Sequence, residues 1–207
     1  MAARDPSNAT LAHRAGIEGQ GVRRELVERA RDGDREAFAA LAAGVIARLF
    51  NTAQLMLRDR DLADDAVQET LVLAWRDLRS LRSPDGFEAW LHRILVRCVY
   101  READRRRRSR IGSSVTATAT AIGLADIGGQ VEARDVLDRG FRRLRPEQRV
   151  VLILHHYLGY SDDEAAAVLA IPLGTFKSRL NRATSALRAE LDADARGRDS
   201  VAMEAVR

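Results

Sequence analysis

Two helical periodicities separated by a two-residue break constrain the C-terminal third of this chain more than any other feature. Ser161-Asp162-Asp163-Glu164 is a capping-box sequence, in which a hydroxyl and a carboxylate satisfy orphan amide groups at a helix start. It opens a short apolar helix through Val168 and Leu169. Ala170-Ile171 forms a tight connection, and Pro172 is placed as the first residue of a second helix. At 100° per residue the second helix sorts its side chains cleanly. Leu173, Phe176, Leu180, Ala183, Leu187 and Leu191 gather on one side, and Ser178, Asn181, Arg182 and Ser185 on the other, flanked by Lys177 and Arg188. The polar side offers hydrogen-bonding and cationic groups without an acid, which suits a helix lying against base edges and phosphates. Gly159 ends an earlier helix containing Val150, Val151, Leu152, Ile153 and Leu154. Helix, short turn, helix is the helix-turn-helix arrangement. Periodicity alone leaves a second reading open, an ordinary helical bundle with a solvated charged face.

The chain has 207 residues, enough for one or two domains with buried cores, and a formal net charge of +4. Lys177 is its sole lysine, so nearly all positive charge is guanidinium, suited to bidentate contacts with phosphate or guanine. Abundant arginine and alanine are equally what a GC-rich coding sequence produces. A lone Cys98 excludes an intramolecular disulfide and points to a reducing cytoplasm. No stretch approaches about 20 uninterrupted apolar residues and no signal-peptide pattern opens the chain, so a cytoplasmic protein without membrane insertion is expected. No phosphate-cradling glycine loop, nucleophile elbow or metal-spaced His/Cys set is present. His155 and His156 lack companion ligands. The sequence therefore predicts no catalytic residue, metal, cofactor or small-molecule substrate.

The punctuation predicts an all-α fold of two small helical domains: a flexible leader over 1–21, a helical domain over 22–108, a linker over 109–130, a second domain over 131–191 and a flexible tail over 192–207. Helices are expected near 22–31, 35–58, 61–80 and 84–105. Asp34 and Ser83 are candidate N-caps, and Pro84 a first helical residue. The linker is rich in Gly, Ser, Thr and Ala, with few large apolar groups.

Within the first domain, Asp61, Asp65, Gln68, Glu69, Val72 and Arg76 form one narrow stripe, and apolar residues occupy much of the remaining circumference. An acid-rich stripe with one valine fits either solvated surface or a docking face for a basic partner. The next helix buries Phe87, Trp90 or Leu91, Ile94, Leu95 and Cys98. Arg93, Arg97 and Arg101 repeat every four residues on another face and run on into Arg105–Arg108 and Arg110. Like charges at that spacing repel by a few tenths of a kcal/mol per pair. A phosphate backbone would turn the repulsion into attraction; a basic solvated helix end is the alternative.

Taken together, these segments resemble the extracytoplasmic-function group of bacterial sigma factors, the promoter-specificity subunits of RNA polymerase. The landmarks are Gly33-Asp34-Arg35-Glu36-Ala37-Phe38, the run Asp59 to Thr70 with Trp75, Phe87 to Ile94, Leu144-Arg145-Pro146-Glu147-Gln148-Arg149, and Gly159 to Arg182. The likeness covers roughly 22–108 and 131–191. It implies a sigma region 2 and a sigma region 4, and a protein that directs core RNA polymerase to promoters without catalysis of its own. Asp61, Asp65, Gln68, Glu69 and Val72 would bind the basic clamp helices of the polymerase's largest subunit. Arg76, Arg79, Ser80, Arg82 and Trp90 would recognise the minus-ten element, and Arg93, Arg97 and Arg101 would steer the strand backbone. Lys177, Ser178, Asn181 and Arg182 match positions entering the major groove at the minus-thirty-five element. At His155 the family often carries Arg or Lys aimed at that element. An anti-sigma protein is a further expected partner, and weak DNA binding by the free chain is expected. The competing class is a stand-alone helix-turn-helix regulator with an N-terminal sensor or dimerisation domain.

Overall fold

The computed structural model describes residues 21–112 and 131–205, with side chains described for 21–109 and 136–196. The expected leader and most of the expected linker lie outside these residues. The described residues are almost entirely helical and contain no strand, matching the all-α expectation.

The N-terminal domain begins with α1 (21–31), which ends at Gly33 in a positive-φ turn (φ +99°). Helix α2 (Arg35–Leu57) is capped by Asp34, whose carboxylate accepts the amides of Glu36 and Ala37 at 2.9 and 3.0 Å. The Ala37 amide and the Arg29 guanidinium hold that carboxyl below its ordinary range. Ala37, Leu41, Val45, Leu49, Ala53 and Met56 step along one face of α2 and are all buried. By length and composition α2 could cross a membrane. That stripe is instead the domain's core face, and mid-helix Arg48 bonds Glu88 of the last helix of the domain at 3.1 Å.

Asp59 caps α3 (Arg60–Asp77), accepting the Leu62 amide at 3.2 Å and pairing with Arg106 at 2.6 Å. Ala63, Ala66 and Ala74 are fully buried, and their small size lets α3 lie close against its neighbours. The helix expected over 61–80 ends at Asp77 and continues as a 3-10 turn, Leu78–Ser80. A second such turn, Pro84–Gly86, precedes α4 (Phe87–Gly112). Ser83 does occupy the cap position, but with its backbone: its carbonyl accepts the Gly86 amide at 3.1 Å and its hydroxyl makes no cap bond. Helix α4 outruns its expected end because Arg105, Arg106 and Arg107 pair with Glu102, Asp59 and Asp104. The charge run is largely neutralised rather than left to repel itself.

The C-terminal domain comprises α5 (Val131–Arg143), α6 (Pro146–Leu152), a π-helical turn Ile153–Tyr157, α7 (Asp162–Leu169) and α8 (Leu173–Ala205). Its core is Leu144, Val150, Val151, Leu154, Ala165, Val168, Phe176 and Ala183. Helix α8 does not stop at Leu191, where the sequence placed the start of a flexible tail. It runs on to Ala205, and Asp194 pairs with Arg139 of α5 at 2.9 Å. Gly140 permits this docking, since a Cβ there would sit 3.1 Å from Leu187 and Leu191.

The two domains pack against each other, α4 on α7 and α2 on α6 with the π turn. Arg58, at the C-terminal end of α2, pairs with Asp138 of α5, and His92 of α4 shares a 2.7 Å hydrogen bond with the Tyr160 hydroxyl. The sequence suggested two modules related only by a tether. Nothing in its periodicity announced this seam, because both pairs join residues far apart in the chain.

Candidate nucleic-acid interface and acidic docking face

The helix-turn-helix forms as the sequence indicated, with one shift. Ser161 and Glu164 close the capping box: the Ser161 amide reaches the Glu164 carboxylate at 2.9 Å and the Glu164 amide reaches the Ser161 hydroxyl at 3.3 Å. The Ser161 hydroxyl and amide together hold the Glu164 carboxyl below its ordinary range. Helix α7 ends at Ala170, a non-glycine residue in the left-handed region (φ 52°, ψ 44°). Pro172 lies one position before α8, where its carbonyl accepts the Phe176 amide at 3.0 Å.

Phe176 and Ala183 are completely buried, which points the opposite side of α8 outward. Lys177, Ser178, Asn181, Arg182, Ser185 and Arg188 are all exposed. Ser178 donates to the Thr175 carbonyl at 2.9 Å and Arg182 Nε donates to the Ser178 carbonyl at 3.2 Å. Both terminal nitrogens of Arg182 are left for a ligand. Lys177 and Asn181 make no side-chain bond among the described residues. His155 is placed differently. It sits on the π turn, its Nδ1 3.1 Å from the Tyr160 carbonyl and 3.5 Å from Asp162, so it braces the entry to α7.

On α3, Asp61, Asp65 and Gln68 are exposed and Val72 is 66% exposed, an unusual position for a valine on a helix with a buried face. Trp75, one turn on, is 37% exposed and rests on Phe38 with ring centroids 5.0 Å apart. The sequence marked Trp75 only as a landmark; the structure adds it to this face, making carboxylates flank an apolar pair. Glu69 is half-buried and ion-paired with Arg101 of α4. The acidic stripe and the arginine stripe therefore touch along one edge, and Arg101 is committed to that pair.

Around the α3–α4 turn, buried Leu78 and Leu81 anchor the chain while Arg79, Ser80 and Arg82 stay exposed. Arg79 Nε reaches the Arg31 carbonyl at 3.4 Å. Arg76 clasps Asp77 at 2.8 Å and holds that carboxyl below its usual range. Leu91 takes the core position, leaving Trp90 half-buried over Phe87 at 6.1 Å between ring centroids. Arg93 and Arg97 are exposed, one turn apart on α4. Among the described residues there is no metal-ligand cluster of His, Cys, Asp or Glu.

Two helical domains, one bearing an acidic-apolar face beside arginines and the other an acid-free helix-turn-helix face, define a bipartite helix-turn-helix transcription protein. Residues 41–109 match the family Sigma-70 region 2, and residues 134–187 match Sigma-70, region 4. The chain is 34% identical over 155 residues to the ECF RNA polymerase sigma factor SigM of Mycobacterium tuberculosis, covering 75% of this chain and 77% of that protein. It is 31% identical over 175 residues to the ECF RNA polymerase sigma-E factor of Escherichia coli, covering 78% and 90%. Among solved structures it is similar to the sigma factor RpoE of Bartonella quintana in complex with the anti-sigma factor NepR, with TM-score 0.63, 29% identity and coverage of 76% and 98%. It is also similar to CnrH in complex with the cytosolic domain of CnrY, with TM-score 0.59, 30% identity and coverage of 84% and 99%. The chain belongs to the extracytoplasmic-function group of sigma-70-type RNA polymerase sigma factors, which sets aside the stand-alone regulator.

Proposed function

We propose that α3 docks this factor on core RNA polymerase while two further faces read promoter DNA. Asp61, Asp65, Gln68 and Glu69 supply carboxylates and an amide for the basic clamp helices of the polymerase's largest subunit. Val72 and Trp75 supply the apolar centre that a stable contact needs. The α3–α4 turn, with Arg76, Arg79, Ser80, Arg82 and Trp90, takes the minus-ten element. Unstacking a base there costs a few kcal/mol, offset by stacking on an aromatic such as Trp90. Arg93 and Arg97 follow the strand backbone, and Arg101 joins them only when it leaves Glu69.

Helix α8 enters the major groove of the minus-thirty-five element with Lys177, Ser178, Asn181 and Arg182. Asn181 can pair adenine bidentately and Arg182 guanine. His155 braces the start of α7 through the Tyr160 carbonyl and Asp162, and reaches DNA only secondarily. The factor works in the cytoplasm, performs no turnover itself, and is held in check by an anti-sigma protein.

The observation that carries this reading is the exposed face of α8 over 177–188, which bears no acid and whose Lys177 and Asn181 side chains are uncommitted within the described chain. Transcription in vitro with core polymerase on a randomised promoter library tests it. Enrichment of templates sharing two elements at fixed spacing is the expected result; no enrichment over core polymerase alone would refute it.

A further inference from the structure

Thr52, Arg58, Thr70, Glu102 and Arg149 are the buried polar or charged side chains among the described residues, and all but one have a partner. The Thr52 and Thr70 hydroxyls donate to the Arg48 and Ala66 carbonyls at 2.8 and 2.6 Å. Arg58 pairs with Asp138, and Glu102 accepts from Arg105 at 3.1 Å. Arg149 of α6 stands alone. It is 7% exposed, and no hydrogen bond or ion pair reaches its side chain from any described residue. Its Nε is sealed from water without an acceptor, so the little access that remains lies at the two terminal nitrogens.

The surroundings of Arg149 offer no carboxylate to neutralise it. Arg58 of α2 and Arg106 of α4 act on it as like charges, and Glu147 is the acid that opposes them. Glu147 is exposed and lies two positions earlier on the same helix, where side chains diverge. Asp138 is already shared by Arg58 and Arg142, the latter at 2.7 Å. Asp59 holds Arg106 at 2.6 Å while capping α3. Burial first, then Arg58 and Arg106, push the Arg149 guanidinium down to about 10, which still leaves it charged at neutral pH. The Tyr100 hydroxyl of α4, which also feels Glu147, is a second sealed group without a partner. A buried cation with no counter-ion is a costly arrangement, and a buried ion is ordinarily paired.

We propose that Arg149 anchors a small-oxyanion site where α6 meets α2 and α4, taking a tetrahedral anion such as sulfate or inorganic phosphate. The terminal nitrogens form the planar fork that an oxyanion meets with two parallel hydrogen bonds. Arg58 and Arg106 add attraction from either side without leaving their own carboxylates. An exposure of 7% admits a small ion and keeps out a nucleic-acid strand, so the site is separate from the DNA-reading faces of α4 and α8.

The test melts the full-length chain at constant ionic strength with low-millimolar sulfate, inorganic phosphate or chloride as the probe. Those concentrations are too low for sulfate's general strengthening of apolar burial to matter. The wild-type melting temperature should rise saturably with sulfate and with phosphate, and less with chloride, which cannot bridge two nitrogens. Arg149→Met replaces the cation by an apolar chain of similar length, and without sulfate it should melt no lower than wild type. Its half-effect sulfate concentration should be at least about tenfold higher than wild type's. Arg107→Met removes a guanidinium that is 77% exposed and should keep the wild-type response. Circular dichroism checks that each variant folds. Should Arg149→Met fail to fold, Arg149→Lys keeps the charge, loses the fork and should show the same weakening. A wild-type midpoint that ignores sulfate, moves equally with chloride, or responds unchanged in the Arg149 variants would overturn the site.

Discussion

Ala170 and Arg182 show how much one side chain decides in the helix-turn-helix. Ala170 stands exposed in the left-handed region, which costs an L-residue about 1–2 kcal/mol, and glycine adopts it freely at the expense of unfolded-state entropy. Ala170→Gly should therefore raise stability by roughly 0.5–1 kcal/mol, read from the denaturant midpoint at unchanged slope. Arg182 has its Nε on the Ser178 carbonyl and both terminal nitrogens facing solvent, the geometry for a bidentate guanine contact. Arg182→Ala should cost about 1–3 kcal/mol of discrimination at one base position, measured by holoenzyme competition among singly substituted upstream elements. A uniform loss across all sequences would instead make it a phosphate contact.

At the scale of the element, α3 carries the docking prediction. Gln68 is exposed, and the Glu69–Arg101 pair is open enough to water to contribute no more than about 1 kcal/mol. Gln68→Ala with Glu69→Ala should leave the melting curve nearly unmoved while weakening holoenzyme assembly in a pull-down titration with core polymerase. Unchanged assembly would remove α3 from the polymerase interface. This helix also shows what its sequence made legible. Its stripe is a local period, so Asp61, Asp65, Gln68 and Val72 could be placed on one outward face from spacing alone. The outward side of α8 was legible for the same reason. Trp75's share in the α3 face was not, because its exposure depends on how Phe38 of α2 props the ring. The ion pair that commits Arg101 was likewise invisible, since its partner sits 32 residues earlier on another helix. The length of α8 is not legible in the sequence, because its last turns owe their place to Arg139 and to the close approach over Gly140, not to any apolar period of their own.

For the whole molecule the seam makes pH a handle on shape. His92 is held below its ordinary value near 6.5, first by burial, then by Arg48 of α2 against the opposing pull of Glu88 on its own helix. From the α7 side it faces the Tyr160 hydroxyl, which burial pushes up to about 12 and which therefore stays neutral. His155 and Asp162 lie behind that tyrosine. Parting the domains returns His92 to water and to its ordinary value. Between the depressed and ordinary values the open form binds more protons, so closure is favoured fully above about pH 6.5 and weakens as pH falls through that window. Lowering pH from 7.5 to 5.5 should lengthen the distance between fluorescent labels on α3 and α8, read by energy transfer, in wild type at temperatures where each domain stays folded. In His92→Gln, whose amide does not titrate, the distance should vary less over the same range. An equal response in the two chains would assign the pH dependence to other groups and take His92 out of the seam's energetics.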